Sequence, residues 1–178
     1  MRGRPGRRTP WCLADGLDEA LALAADRSDV LVVDLENTLV PYGSTAAHRV
    51  AAIDAAVAAV AAHGGIRHLA VVSNARFRLP PAAAAGLTCT VVRAARKPHL
   101  WCPPLRALRP ALAGATVYGD QPLTDGLLAH HLGGLWVQPR PATLAGADEP
   151  WWPRLMRARG RRVLRRSFAP VPGPGSPG

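Results

Sequence analysis

Apolar positions along the chain fall in two rhythms. Val30, Leu31, Val32 and Val33 form an unbroken run that ends at Asp34. Such a run suits a strand buried on both faces, as in a parallel sheet. Further runs at 69–72, 88–92, 116–118 and 135–137 read as four more strands. Elsewhere the apolar positions fall on or near one face of a helix. Leu17, Leu21 and Leu23 predict a helix over 15–26; Val50, Ile53, Val57 and Val60 predict one over 45–63, which Gly64 and Gly65 end. Helices are also expected over 103–112, started by Pro103 and Pro104, and over 124–131. A last one covers 150–166, interrupted by Pro153 and weakened by Gly160. Strands alternating with helices predict an α/β fold, a doubly wound parallel sheet of five strands. Residues 1–14 read as a disordered basic N-terminus, 15–148 as the folded domain, 149–168 as a basic C-terminal segment and 169–178 as a disordered Pro/Gly-rich tail.

Composition narrows the picture. The chain has 178 residues, which leaves room for one domain. Hydrophobic residues make up 48% and aromatics 5%, so Val, Leu and Ala must fill the core. The formal net charge is +10, and arginine supplies every basic residue but one, Lys97. The arginines gather at the two ends, at 2–8 and at 154–166. A basic surface attracts nucleic acid, anionic lipid or phosphorylated substrates, and it also serves simply to keep a protein soluble. From Trp151 to Phe168 the chain holds many arginines, two tryptophans and no acid. Trp151 and Trp152 fit either a membrane interface or packing on the sheet. Cys12, Cys89 and Cys102 are odd in number and lack metal-ligand spacing, which fits a reducing cytosol and argues against a disulfide framework. His99, His130 and His131 make no metal pattern. No segment approaches the ~18 apolar residues of a membrane span, and Asp15, Asp18 and Glu19 spoil a signal-peptide core. The expectation is a soluble, cytoplasmic protein, able to lie peripherally on the inner face of the membrane.

The candidate chemistry sits at the strand ends. In doubly wound sheets ligands bind beyond the carboxyl ends of the strands, where the strand order reverses. Asp34 and Glu36 follow the first predicted strand, Ser73 and Asn74 the second, Lys97 the third and Asp120 the fourth. Carboxylates at two neighbouring strand ends can share a hard cation such as Mg²⁺, which takes oxygen ligands. A hydroxyl and backbone N–H groups can hold phosphate oxygens. A lysine can neutralise the charge that builds during transfer. A carboxylate can also attack phosphorus and become an aspartyl-phosphate. Lys97 stands alone among arginines, which suggests a need for a compact ammonium.

Four segments carry a resemblance: Asp34-Leu35-Glu36-Asn37-Thr38-Leu39-Val40, Ser73-Asn74, Ala95-Arg96-Lys97-Pro98 and Gly119-Asp120-Gln121-Pro122-Leu123-Thr124-Asp125. In order and content they resemble motifs I to IV of the haloacid dehalogenase (HAD) superfamily, more narrowly its subfamily IIIA, the YqeG-type branch that includes mitochondrial phosphatidylglycerophosphatases. The resemblance covers about residues 28–140. It implies that Asp34 is the nucleophile and a Mg²⁺ ligand, and that residue 36 is the general acid/base and gives the metal its backbone carbonyl. It implies phosphate binding by Ser73 and Asn74, a phosphoryl-steadying role for Lys97, metal ligation by Asp120, and support of the metal shell or of Lys97 by Asp125. No long insertion separates the first two motifs, so a large cap domain is not expected and the site stays open to a bulky or membrane-bound substrate.

The chain departs from the family pattern at one position, where Glu36 stands in place of Asp. The extra methylene moves the carboxyl by roughly 1 Å, and a shift of that size can cost about 10²-fold in rate. Two functions follow from these residues. One is a Mg²⁺-dependent phosphomonoester hydrolase with an aspartyl-phosphate intermediate, its substrate by resemblance phosphatidylglycerophosphate or else a soluble phosphorylated metabolite. The other is a weakened HAD fold that binds an anionic partner, such as RNA or a ribosome, without turnover.

Overall fold

The computed structural model describes residues 8–74, 87–98, 103–140 and 151–172. Seven strands form a single, wholly parallel sheet: β1 (Thr9–Ala14), β2 (Val30–Val33), β3 (His68–Val72), β4 (Thr88–Val92), β5 (Thr116–Tyr118), β6 (Trp136–Pro139) and β7 (Phe168–Pro170), in the order β4-β3-β2-β5-β6-β1-β7. The helices are α1 (Leu17–Ala25), α2 (Ala46–His63), α3 (Pro103–Leu108), α4 (Leu127–Leu132) and α5 (Trp151–Ser167), with a π-helical turn at Pro122–Gly126 leading into α4. This is a Rossmann-like α/β fold.

The period-two geometry of the strands sorts their side chains onto two faces. Leu31, Val33, Leu69 and Val71 pack with Leu21 of α1 and Ile53, Val57 and Val60 of α2. Val30, Val32, Ala70, Val72 and Val117 pack with Leu105 of α3 and with Leu128 and Leu132 of α4. Helices therefore cover both faces, which is why β2 is buried at every position. Thr45 caps α2 by accepting from the His48 N–H at 3.3 Å, and Gly64 ends it in the left-handed region at φ 74°.

The expected count of five strands is too low by two. Thr9–Ala14, read as part of a disordered N-terminus, is strand β1 between β6 and β7. Trp11 stacks on Trp136 at a ring-centroid distance of 5.7 Å, and Phe168 meets the edge of Trp136 at 5.3 Å. Phe168–Pro170 closes that side of the sheet, where an edge strand tolerates proline. The expected helix over 103–112 ends earlier, at Leu108. Helix α5 runs unbroken through both expected interruptions: Pro153 lies in its first turn, where no N–H is needed, and Gly160 is buried against Pro122. Residues 1–7, 149–150 and 173–178, and with them part of the expected basic and disordered ends, lie outside the described residues, as do His99 and Cys102. No helix among the described residues is long and apolar enough to cross a membrane.

The order of strands locates the crevice. From β2 the chain winds outward through β3 and β4, then returns to place β5 on the other side of β2. The direction of winding reverses there, so the loops after β2 and β5 diverge and leave a gap beyond their carboxyl ends. Asp34 is the first residue after β2, and Gly119-Asp120 are the first two after β5.

Candidate functional site

Backbone bonds continue the sheet into the site loops. The Asp34 N–H donates to the Tyr118 carbonyl at 2.9 Å, fixing the end of β2 against β5. After it the chain makes a tight turn in which the Leu35 carbonyl accepts from Leu39 and Val40 at 2.9 and 3.1 Å. Asn37 takes the left-handed conformation at φ 58°, which asparagine tolerates better than most residues; its Oδ1 accepts from the Tyr42 N–H at 3.2 Å. On the other side Ser73 N–H donates to Val92 O, and Ala95 N–H to Ser73 O, at 2.9 and 3.0 Å. These bonds bring the segment after β4 alongside the segment after β3. Ala94 and Arg96 both have positive φ there, a strain of about 1–3 kcal/mol each that persists only where the surroundings hold it. Asn74 contributes to that hold: its Oδ1 accepts from the Lys97 N–H at 2.7 Å.

Lys97 is thereby turned inward. Its Nζ lies 2.6 Å from Asp34 Oδ1 and 2.6 Å from Asp125 Oδ1, with the side chain only 2% exposed. The second oxygen of Asp125 accepts from the Gln121 N–H at 3.0 Å. The π-helical turn that carries Asp125 presses it against Gly119, where a Cβ would come within 2.4 Å of the Asp125 carboxyl carbon. Only glycine at 119 leaves room for this arrangement. Asp120, also buried, completes a cluster in which one carboxylate oxygen from each of Asp34, Asp120 and Asp125 lies within 4.8 Å of the others.

The donor set suits a divalent cation. The three aspartates offer hard oxygen ligands, which Mg²⁺ prefers. Ionised together, they carry three negative charges against the Lys97 ammonium, a net of two that one divalent ion would balance. Of the three, Asp125 has both oxygens engaged, by Lys97 and by the Gln121 N–H.

Burial raises the Asp34 carboxyl from its ordinary range to about 7; the Lys97 ammonium pulls it down, and the Asp125 and Glu36 charges push it up again. Burial would lower the Lys97 ammonium, but Asp125 and Asp34 outweigh it and hold it above its usual value. The raised carboxyl has a consequence for stability. Metal-free and folded, Asp34 binds its proton more tightly than it does unfolded. Its stabilising contribution is therefore full below the unfolded value of about 4 and is lost as pH rises through about 7. A cation that displaces this proton must add most at the high end. Adding Mg²⁺ is expected to raise the melting temperature clearly at pH 8 and little at pH 5.5. Calorimetry at the two pH values, with Mg²⁺ and with EDTA, checks this; an equal shift at both would contradict it.

Glu36 goes elsewhere. Its Oε2 accepts from Ser73 Oγ at 2.5 Å, and its Oε1 pairs with Arg49 Nε of α2 at 3.3 Å. Ser73 and Glu36, expected to serve phosphate and proton transfer, thus bind each other in this structure. Asn74, Asp34, Glu36 and Lys97 line a cleft of about 330 Å³, large enough for a phosphate and a small organic group. Gln121 and Thr124 of the fourth motif also line it, as do Tyr42 and Met156. Arg49, Tyr42 and Met156 were missed by sequence reasoning. Arg49 is one arginine among many, and only the packing of α2 beside the first loop singles it out. His130 and His131 serve structure, pairing with Thr9 Oγ1 at 2.8 Å and with the Pro98 carbonyl at 3.1 Å.

Compared with known proteins, the chain matches no protein-family model, no curated protein and no solved structure.

Proposed function

We propose that the chain is a Mg²⁺-dependent phosphomonoester hydrolase of the HAD type, subfamily IIIA, acting through a phosphorylated Asp34. The observation that carries this reading is the Asp34–Lys97–Asp125 contact beside Asp120, at the reversal of strand order and open to a cleft. The four segments that resemble the family's motifs supply residues of one kind of chemistry, and the order of β2 to β6 is compatible with it.

In the proposed reaction the phosphate of the substrate sits against Lys97 and the backbone after β3. An Asp34 carboxylate oxygen attacks phosphorus, the P–O bond to the alcohol breaks, and the departing oxygen takes a proton from the Glu36 carboxyl or from water. Water then attacks the phosphorus of the aspartyl-phosphate and gives a proton to the Glu36 carboxylate or to solvent, which restores the acid. The bond from phosphorus to the Asp34 oxygen breaks, inorganic phosphate leaves and the carboxylate is restored. Lys97 offsets charge on the phosphoryl oxygens throughout. Bound Mg²⁺ would add Lewis-acid stabilisation of those oxygens, held by Asp34 and Asp120 with Asp125 behind them. No cap covers the cleft in this reading, and resemblance alone puts phosphatidylglycerophosphate first among substrates and soluble phosphorylated metabolites next.

The test is a panel of lipid and soluble phosphomonoesters assayed with Mg²⁺ and with EDTA. Turnover that EDTA abolishes is expected; none on any member of the panel would refute the hydrolase.

A second reading, binding of an anionic partner without turnover, draws on Glu36, since a carboxylate engaged by Ser73 and Arg49 is badly placed for proton transfer. The two readings part on one substitution. A shorter carboxyl at 36 cannot span Ser73 and Arg49 together, which breaks that double engagement and brings the acid back to the family position. Glu36→Asp is expected to raise turnover by roughly tenfold or more. An unchanged or lower rate would show that the local backbone has adjusted to glutamate or that residue 36 is idle.

A further inference from the structure

Helix α5 has two unlike faces. Met156, Gly160 and Leu164 follow one another at intervals of four: Met156 lines the cleft, Gly160 meets Pro122 and Leu164 packs on the core. Trp151, Leu155, Arg159, Arg162 and Arg166 follow at intervals of three and four and are all exposed. At 100° per residue they fall within one stripe, on the side of the helix turned from the core. Trp151 is 74% exposed and Leu155 is 38% exposed; with Tyr42 they are the exposed large apolar side chains among the described residues. Tyr42 lines the cleft, and so does Met156, which lies in the same stretch of α5 as Trp151 and Leu155. The stripe thus runs from an apolar end, in the half of α5 that carries the cleft-lining Met156, to an arginine end farther along.

We infer that this stripe is a docking surface for an anionic lipid membrane and that it presents the cleft to phosphates at the bilayer surface. Arginine complements anionic headgroups, each contributing about a fivefold gain in partition near the surface. An exposed tryptophan and leucine on the same stripe can enter the headgroup region, where tryptophan is favoured. A polyanion such as RNA would use the arginines and could stack bases on Trp151 or Tyr42, but it has no comparable use for the exposed Leu155. Gly160 and Leu164 hold the opposite face to the protein, so α5 need not detach to bind. The docking itself is independent of hydrolysis; its purpose, bringing lipid phosphates to Asp34, rests on the hydrolase reading.

Sedimentation of the full chain with vesicles separates the possibilities. The chain is expected to bind vesicles containing phosphatidylglycerol and not those of phosphatidylcholine alone, and to release them as added salt shortens the screening length. The triple variant Arg159→Gln/Arg162→Gln/Arg166→Gln should lose roughly a hundredfold in partition and keep the melting temperature of the wild type, because its three sites are exposed. Trp151→Ala, a milder change, should also weaken binding. No binding to anionic vesicles at low salt, unchanged binding by both variants, or tighter binding to RNA that displaces the vesicles would each overturn the docking surface. Because sedimentation reads no turnover, failure of the hydrolase leaves this result intact, and failure of docking leaves hydrolysis of soluble phosphomonoesters to be judged by the panel.

Discussion

Asp34→Asn is expected to abolish Mg²⁺-dependent turnover, by on the order of 10⁴-fold or more. The amide keeps the shape of the side chain and removes the charged oxygen that attacks phosphorus in the proposed reaction. It also withdraws one of the three carboxylates that would hold the cation. The loss should not come from unfolding. Metal-free, the wild type buries Asp34 at a cost that pushes its carboxyl up to about 7, so a neutral amide there should leave melting at pH 8 unchanged or raise it. Assay and calorimetry on the same preparation check both parts. Near-normal turnover would remove Asp34 from the reaction, and a collapse in stability would make its role structural.

Lys97→Met is expected to be the most damaging single change to stability, at about 3–5 kcal/mol. Lys97 is the ammonium in contact with both Asp34 and Asp125, at 2.6 Å from each, and it is nearly sealed from water. Removing it leaves buried carboxylates crowded together. The deficit should shrink as pH falls, because protonation removes their charge, and it should shrink when Mg²⁺ replaces the lost cation. Lys97→Arg tests geometry apart from charge. A planar fork is too broad for a position built around a point ammonium, so most activity should disappear although the charge is kept. Melting curves from pH 5 to 8, with and without Mg²⁺, read the first variant, and initial rates read the second. Wild-type behaviour in either would place Lys97 outside the working site.

Strands β2 to β6 and helices α1 and α2 were legible because their apolar runs and spacings are long and free of competing signals. The placement of Asp34, Ser73, Asn74 and Asp120 just beyond the strands was legible because a doubly wound sheet brings strand ends together whatever the detailed packing. Val30 to Val33 announce a buried strand, and the acid that follows must lie at its end. What escaped has a physical reason in each case. Strand β1 contains Pro10 and follows a run of arginines, signals that read as an irregular terminus, so its partnership with β6 rests on tertiary packing around Trp11, Trp136 and Phe168. Gly160 reads as a helix breaker in isolation, yet it is where α5 closes on Pro122. The pairing of Glu36 with Arg49 joins a loop to a helix surface, and no periodicity records such a contact. Met156 reaches the cleft from more than a hundred residues along the chain from Asp34.

The central claim is a covalent phosphoryl intermediate on one named carboxylate. Turnover on the best substrate of the panel, quenched and treated with borohydride, would reduce an aspartyl-phosphate to homoserine, and peptide mapping then locates it. Conversion at position 34, dependent on both Mg²⁺ and substrate and absent from Asp34→Asn, is the predicted result. Sustained turnover with no conversion at 34, or conversion at another carboxylate, would contradict the account.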